Sequence, residues 1–255
     1  MNQEKMPMIF VGHGSPMNAI EDNKYTRGWR EVAKKLPRPK AILAISAHWY
    51  TKGTRIQDEE YPKMIYDMYG FPKNLYEVVY PARGSAEYAQ KTIELIKNPV
   101  IIDNSWGLDH GTWSVLVRMY PGANIPVYQL SIDGYVNSRE HFEIGKYLKE
   151  LRNQGVLILA SGDVVHNLGK ISYIDDGFTW AEEFDSYIKE SILNREFENV
   201  VNYENHELAE LAVPTPDHFY PLLYTLGACD DNDEIEVFNE GCLFGSLSMT
   251  SYLFK

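Results

Sequence analysis

Hydrophobic residues cluster in four short runs, and a turn with small residues or a histidine follows each run. The runs are Met8–Val11, Ala41–Ile45, Ile125–Ile132 and Val156–Ala160. Apolar runs of about four to eight residues without polar alternation are typical of strands that are buried on both faces of a sheet. The pattern therefore predicts four strands of a largely parallel sheet.

Amphipathic stretches of helical period lie between these runs, and the clearest are Ser85–Ile96 and Ser138–Leu151. Alternating strands and helices imply right-handed crossovers and helices on both faces of the sheet. The runs Glu236–Phe238 and Leu243–Leu253 have no helix between them, which predicts antiparallel pairing. We predict an α/β fold, with a mostly parallel central sheet flanked by helices, in a single domain that spans residues 1–255.

Composition and charge narrow the classes of partner. The 255 residues include 24 Lys and Arg against 36 Asp and Glu, a formal charge of −12, which disfavours nucleic-acid and anionic-membrane partners. Met1–Pro7 does not resemble a secretory signal, and no apolar run approaches the about 18 residues of a membrane helix. The two cysteines, Cys229 and Cys242, suit a reducing cytoplasm, where we expect the protein. The acidic run Asp230–Glu234 is interpreted as a solvated turn, and no feature predicts an oligomeric state.

Three of the seven histidines, His13, His48 and His166, follow predicted strand ends. Ligands of parallel sheets bind beyond the carboxyl ends of the strands, so we expect these side chains at one edge, where the active site would lie. His13 and His48 are 35 residues apart, which fits one strand–helix–strand unit. A single histidine at a strand end also fits a hydrogen-bonded structural role, whereas two at equivalent ends favour a shared site.

The other histidines fall into two classes. His218 follows Asp217, which we expect to cap a helix and to hold His218 in its first turn, and His110 is placed similarly. His141 and His206 lie in charged helical stretches and are interpreted as solvated. The sequence contains no serine nucleophile elbow, glycine-rich phosphate loop or zinc-protease helix motif.

Several blocks around these histidines resemble the class III extradiol ring-cleavage dioxygenases, and most closely their 4,5-DOPA extradiol dioxygenase subgroup. The similarity runs in the same order from about Met8 to Phe254. Its blocks are Gly12–Pro16, Ser46–Trp49, Tyr66–Pro72, Leu108–Trp113, Ser161–Leu168, Thr215–Phe219 and Gly245–Met249.

The resemblance implies a role for each of five histidines. His13, His48 and His218 would bind the metal, with His218 where better-known relatives have glutamate. His166 would be the acid–base residue, which also binds the metal when substrate is absent, and His110 would lie near substrate or dioxygen. Iron(II) is implied for ring cleavage and zinc for the protein as isolated. Three neutral imidazoles would leave the centre one negative charge short of two histidines and a carboxylate.

The reaction implied is the insertion of O₂ into the ring of a small aromatic diol similar to DOPA, which gives a ring-opened semialdehyde. A metal with open coordination positions suits this chemistry, and a neutral histidine can take and return a proton. The aromatic residues Tyr66, Tyr69 and Phe71, together with Trp49 and Trp113, are expected to form a flat pocket for the ring, with ordinary packing as the alternative for each.

Two other functions remain open at this point. The same ligands on zinc would activate water in a hydrolase. A non-catalytic binding protein on the same fold is the other alternative, although a binding groove has no need of the proton acceptor expected at His166.

Overall fold

The four predicted runs form adjacent parallel strands at the centre of the sheet. In the computed structural model, which describes residues 5–255, these strands are β1 (Met8–Gly12), β2 (Ala41–Thr51), β5 (Val127–Asp133) and β6 (Val156–Gly162). β1 and β2 both pair in parallel with β6, and β2 also pairs in parallel with β5. The predicted fold class, a mostly parallel sheet flanked by helices, is confirmed. Met1 to Glu4, which belong to the predicted domain span and to the segment tested for a secretory signal, lie outside the described residues.

The remaining strands are β3 (Thr54–Ile56), β4 (Val100–Ile102), β7 (Ile235–Phe238), β8 (Cys242–Leu243), β9 (Leu247–Ser248) and β10 (Ser251–Phe254). In the described chain they complete an eight-stranded sheet with the order β4-β3-β5-β2-β6-β1-β10-β7 and form a separate pair, β8 and β9. β10 pairs antiparallel with both β1 and β7, as expected for a C-terminal segment without an intervening helix.

Within residues 5–255, eight α-helices connect and cover these strands. They are α1 (Lys24–Lys35), α2 (Ala86–Leu95), α3 (His110–Met119), α4 (Ser138–Asn153), α5 (Thr179–Leu193), α6 (Phe197–Val201), α7 (Ala209–Ala212) and α8 (Tyr220–Ala228). Short 3-10 helices occupy Pro16–Ala19, Lys73–Leu75, Leu168–Lys170 and Tyr203–Asn205. α2 and α4 correspond to the two predicted amphipathic stretches. Across residues 5–255, no helix combines the length and the apolarity that a membrane crossing requires.

Two apolar cores lie on opposite faces of the sheet, because successive residues of a strand point to opposite sides. Met8 and Phe10 of β1 belong to the core that α4 and α8 cover, whereas Ile9 and Val11 belong to the core that α1 and α3 cover. All four side chains are fully buried. Burial on both faces explains why these strands are continuously apolar.

The acidic run at 230–234 is not wholly solvated, which corrects the sequence interpretation. Asp233 is buried and forms an ion pair with the buried guanidinium of Arg152, with Nη1 and Oδ2 2.5 Å apart. Arg152 also donates to the carbonyl oxygens of Met6 and Ala228. The Arg152 guanidinium and the Asp230 backbone N–H hold the pKa of the Asp233 carboxyl near 2, although burial alone would raise it.

Candidate metal centre

The five histidines for which the sequence predicts a role line one cavity at the carboxyl ends of β1, β2 and β6. The cavity has a volume of about 590 Å³ and contains His13, His48, His110, His166 and His218 in its wall. Ring centroids of His13, His48 and His218 are 5.0 to 5.2 Å apart. The expectation that separate segments converge at this edge therefore agrees with the structure.

His13 is held where β1 ends against β6. Its backbone N–H donates to the Gly162 carbonyl, which extends the strand pairing by one residue. A side chain on Gly12 would place its Cβ 2.7 Å from the Met249 carbonyl carbon, so only glycine allows this close approach. The same holds at Gly162, where a Cβ would lie 2.1 Å from the His218 carbonyl oxygen. Gly12 thus allows the segment that carries His13 to approach Met249, and Gly162 allows β6 to approach the backbone of His218.

His48 lies within an irregular continuation of β2 and not in a turn after the strand, which corrects the predicted end at Ile45. The pairing of β2 with β6 stops at Ser46, and its register with β5 shifts between Ile45 and Tyr50. His48 faces the cavity, whereas Trp49 is buried and does not line it. Neighbouring residues on an extended chain point to opposite sides, so the two side chains cannot share the cavity.

Hydrogen bonds fix which ring nitrogen of His13 and His48 carries the proton. The Ser161 hydroxyl donates its single hydrogen to the Gly111 carbonyl, so it must accept from His13 Nδ1–H, 3.0 Å away. His48 Nδ1 lies 3.0 Å from Asp67 Oδ2, a carboxylate that can only accept. In the neutral rings both Nε2 atoms then carry lone pairs, and these atoms are 3.1 Å apart.

This donor set fits a bound metal cation. Two facing lone pairs repel each other unless a proton or a metal cation lies between them, and one metal with bonds of about 2.0–2.1 Å can bind both nitrogens. Polar partners on the opposite ring nitrogen are the usual way to orient metal-binding histidines. Two further groups have ligand atoms within 4.8 Å of one another, namely His13 with Asp163 and His218, and His166 with Asp217 and His218.

His218 and His166 form the second wall of the centre. Their rings stack in parallel, with centroids 3.4 Å apart and an interplanar angle of 4°. Nδ1 of His218 is hydrogen-bonded to Asp217. Asp217 therefore orients His218, and the prediction that it caps a helix is wrong. α8 begins only at Tyr220, and no side chain of the described residues caps it.

His110 lies at the start of α3, as predicted. Asp109 caps this helix by accepting from the Thr112 N–H, and the His110 backbone N–H donates to Asp67 Oδ1. The His110 ring lies 3.8 Å from the His48 ring, centroid to centroid. Asp67 therefore holds His48 through one oxygen and the His110 backbone through the other.

Burial controls the protonation of most of these rings. It lowers the pKa of His13 and of His218 well below the usual value, and neighbouring imidazoles lower it further. Burial likewise lowers the pKa of His166 to about 4, so that ring is neutral at pH 7. For His48, burial alone would lower the pKa, but the Asp67 hydrogen bond and nearby carboxylates outweigh it and raise the pKa.

The mouth of the cavity is aromatic, but of the five expected aromatic residues only Tyr69 and Phe71 line it. Tyr69 lines the mouth and is 92% exposed. Trp113 does not line the cavity; it is fully buried beneath Tyr66, and its indole N–H donates to the Ile65 carbonyl. The apolar lining that sequence reasoning missed comes from Met17, Met68, Leu168, Ile171, Tyr173, Phe244 and Leu247.

Sequence reasoning also missed the acidic residues of the centre. Asp67 and Asp163 lie in blocks that carried the family resemblance, but neither had a predicted role. Asp163 is 1% exposed, and its Oδ1 accepts from the Gly14 N–H. Burial raises the pKa of its carboxyl well above the usual value. A polar residue directly after an apolar strand is the signal that identifies Asp163.

His141 and His206 lie outside the cavity lining, but the interpretation of both as solvated is wrong for His141. Its side chain is fully buried against the Tyr220 ring, and Nδ1 is 2.9 Å from the Tyr224 hydroxyl. His206 is half-buried and packs on Tyr187. The charged sequence around His141 reflects the outer face of α4, whereas His141 itself lies on the inner face.

His141 is expected to make the fold sensitive to acid. Burial lowers its pKa from 6.5 to about 4, so between these values the unfolded chain binds a proton that the folded protein does not. Stability is therefore complete above about pH 6.5 and falls as the pH decreases towards 4, by roughly 2–3 kcal/mol from this group. We expect urea unfolding of His141→Asn to lose that part of the pH dependence. Parallel pH profiles for the variant and the wild type would contradict this assignment.

Comparisons with known proteins agree on one family. The family model described as the catalytic LigB subunit of aromatic ring-opening dioxygenase matches residues 6–255. A 4,5-DOPA dioxygenase extradiol of Escherichia coli K12 is 47% identical over 98% of this chain and 95% of its own length. One of Beta vulgaris is 39% identical over 96% of this chain and 95% of its own. The crystal structure of an uncharacterized E. coli K12 protein superposes with a TM-score of 0.88, at 43% identity, and covers 98% of this chain and all of that one.

Proposed function

This chain belongs to the LigB family of aromatic ring-opening dioxygenases, and on that basis we propose that it is a non-haem, iron(II)-dependent extradiol dioxygenase. Its substrates would be O₂ and a small catechol similar to DOPA, the substrate named for its relatives, and its product a ring-opened semialdehyde. We also propose that zinc occupies this centre in the protein as isolated. The two free cysteines, Cys229 and Cys242, are consistent with the cytoplasmic location that we propose.

One observation carries the proposal: the Nε2 atoms of His13 and His48 face each other at 3.1 Å in the wall of an aromatic cavity. We assign both residues, together with His218, as the histidine ligands. Ser161, Asp67 and Asp217 each hold the opposite nitrogen of one ring, so all three rings are oriented before a metal binds. Bound iron(II) supplies open coordination positions at which the catechol oxygens and O₂ can be brought together.

His166 is the residue we assign to proton transfer. Because burial lowers its pKa to about 4, it is neutral at pH 7 and can accept the proton of a catechol hydroxyl. Its stacking on His218 keeps the ring beside the metal ligands and inside the cavity. Once protonated, it can return the proton as the ring opens. A site that only binds ligands has no use for a neutral base in this position.

The cavity suits an aromatic substrate in size and lining. About 590 Å³ lies within the usual range for small-molecule sites. His110 contributes its ring to the wall near His48, where we expect it to contact substrate or O₂. Tyr69 and Phe71 offer rings at the mouth against which the substituent of a catechol can pack.

The proposal is tested by loading the metal-free protein with iron(II) under anaerobic conditions and then recording O₂ uptake with L-DOPA, catechol and protocatechuate. We expect uptake together with a yellow ring-opened product for at least one diol, and none with the zinc-loaded protein. Failure of the iron-loaded protein to consume O₂ with any of the diols would contradict the dioxygenase assignment. Ester hydrolysis by the zinc form would instead favour the hydrolase.

A further inference from the structure

Asp163 presents an unpartnered carboxylate oxygen to the histidine cluster. Its side chain is 1% exposed, and Oδ1 accepts from the Gly14 backbone N–H at 3.0 Å. The Asp163 backbone N–H donates to the His218 carbonyl, so the residue is fixed from both sides. Oδ2 accepts no hydrogen bond from any residue of the described chain. Buried carboxylate oxygens normally have a hydrogen-bond or metal partner, so we expect a group that binds Oδ2 of Asp163.

The position of Oδ2 indicates what that partner is. Oδ2 lies 4.0 Å from His13 Nε2, which carries a lone pair because Nδ1–H donates to Ser161. When Asp163 is ionised, neither atom carries a hydrogen, and a divalent cation between them would bind both. Two ligands with bonds of about 2.0–2.2 Å to one metal can be at most about 4.4 Å apart, and 4.0 Å falls within that limit. Ligand atoms of His13, Asp163 and His218 also lie within 4.8 Å of one another.

We propose that Asp163 is the carboxylate ligand of the metal centre and binds through Oδ2 beside His13 and His218. This inference rests on the proposed function, because it assumes that the histidines hold a divalent metal. Asp163 then supplies the negative charge that neutral imidazoles lack. The centre then combines histidines with a carboxylate, which is the donor set that suits non-haem iron(II). This carboxylate comes from the segment after β6 and not from the position of His218.

Asp163→Asn tests the inference by metal affinity and not by activity. The amide oxygen can still accept from the Gly14 N–H, so the loop keeps its hydrogen bond while the ligand charge is lost. We expect zinc affinity, measured by competition with a chromogenic chelator, to fall by at least about 100-fold. The metal-free variant should unfold at the same temperature as the metal-free wild type or higher, because an unpaired buried carboxylate has been removed. A role limited to fixing Gly14 predicts unchanged zinc affinity, because the variant keeps that hydrogen bond.

A matched control is Asp185→Asn. Asp185 is also buried, but its oxygens accept from Ser248 and Thr250, and it belongs to no candidate metal-holding group among residues 5–255. We expect this variant to lose thermal stability and to keep wild-type zinc affinity. Equal zinc affinity in Asp163→Asn and the wild type would overturn the role of Asp163 and leave the proposed function intact. A wild type that binds no zinc would overturn the metal centre and, with it, the role of Asp163.

Discussion

Replacing His48 with alanine is expected to reduce bound metal to a trace. The variant removes one of two Nε2 atoms that face each other at 3.1 Å, and it leaves Asp67 without the imidazole hydrogen that it accepts. Removing an outer partner of a metal ligand typically costs about 10- to 100-fold in affinity, so loss of a ligand itself should exceed that range. Elemental analysis after dialysis and chelator competition would measure the effect. We expect the same result for His13→Ala.

His206→Ala is the matched control for the loss of metal. His206 is half-buried and packs on Phe184 and Tyr187, but it does not line the cavity. The control should retain the metal content of the wild type. If His48→Ala retained it as well, His48 would be excluded from the centre.

Replacing His166 with alanine is expected to separate catalysis from metal binding. Proton transfer by a positioned side chain typically contributes about 10²- to 10⁴-fold, so kcat for ring cleavage should fall by that factor. His13, His48 and Asp163 are unchanged in this variant, so most of the iron should remain bound. The measurement is O₂ uptake at saturating catechol, normalised to iron content.

The pH profile adds an independent readout for His166. In the wild type its neutral ring accepts the catechol proton, so the rate should decline in acid as the ring becomes protonated. The variant should lose that acid limb and recover partly as rising pH ionises the diol in solution. Unchanged kcat and an unchanged acid limb would exclude His166 as the proton acceptor.

The central strands could be predicted because they carry a strong sequence signal. β1 and β6 are buried on both faces, so each is an uninterrupted apolar run, and their order along the chain implies where their carboxyl ends meet. β3 and β4 have only three residues each and lie towards an edge of the sheet. Such short segments carry too little periodicity to be recognised from sequence.

The histidines of the site could be predicted from residue type and position along the chain. The roles of residues that depend on tertiary contacts could not. His13 and His48 follow from the ends of apolar runs. The role of Asp217 depends on its nearest polar neighbour. Its carboxylate is hydrogen-bonded to the His218 ring and not to the backbone at a helix terminus. Trp113 was expected in the pocket with the other aromatic residues, but Tyr66 covers it. Nothing in the local sequence specifies either contact.

The charge of the centre is the feature for which the structure differs most from the expectation based on sequence. From sequence, three neutral histidines would have left the site without a compensating carboxylate. Asp163, Asp67 and Asp217 instead surround the histidines, and one oxygen of Asp163 has no partner among residues 5–255. These carboxylates provide local compensation for a cation, which the overall charge of −12 could supply only weakly.

The central claim, that this protein inserts O₂ into a catechol ring, is tested most directly by isotope labelling. The iron(II)-loaded protein would be supplied with isotopically labelled O₂ and the diol that supports the fastest uptake, and the product would be analysed by mass spectrometry. We predict a ring-opened product in which each molecule has gained both atoms of one O₂, with no hydrogen peroxide released. A product without label, or O₂ reduced to peroxide while the ring stays closed, would contradict the account.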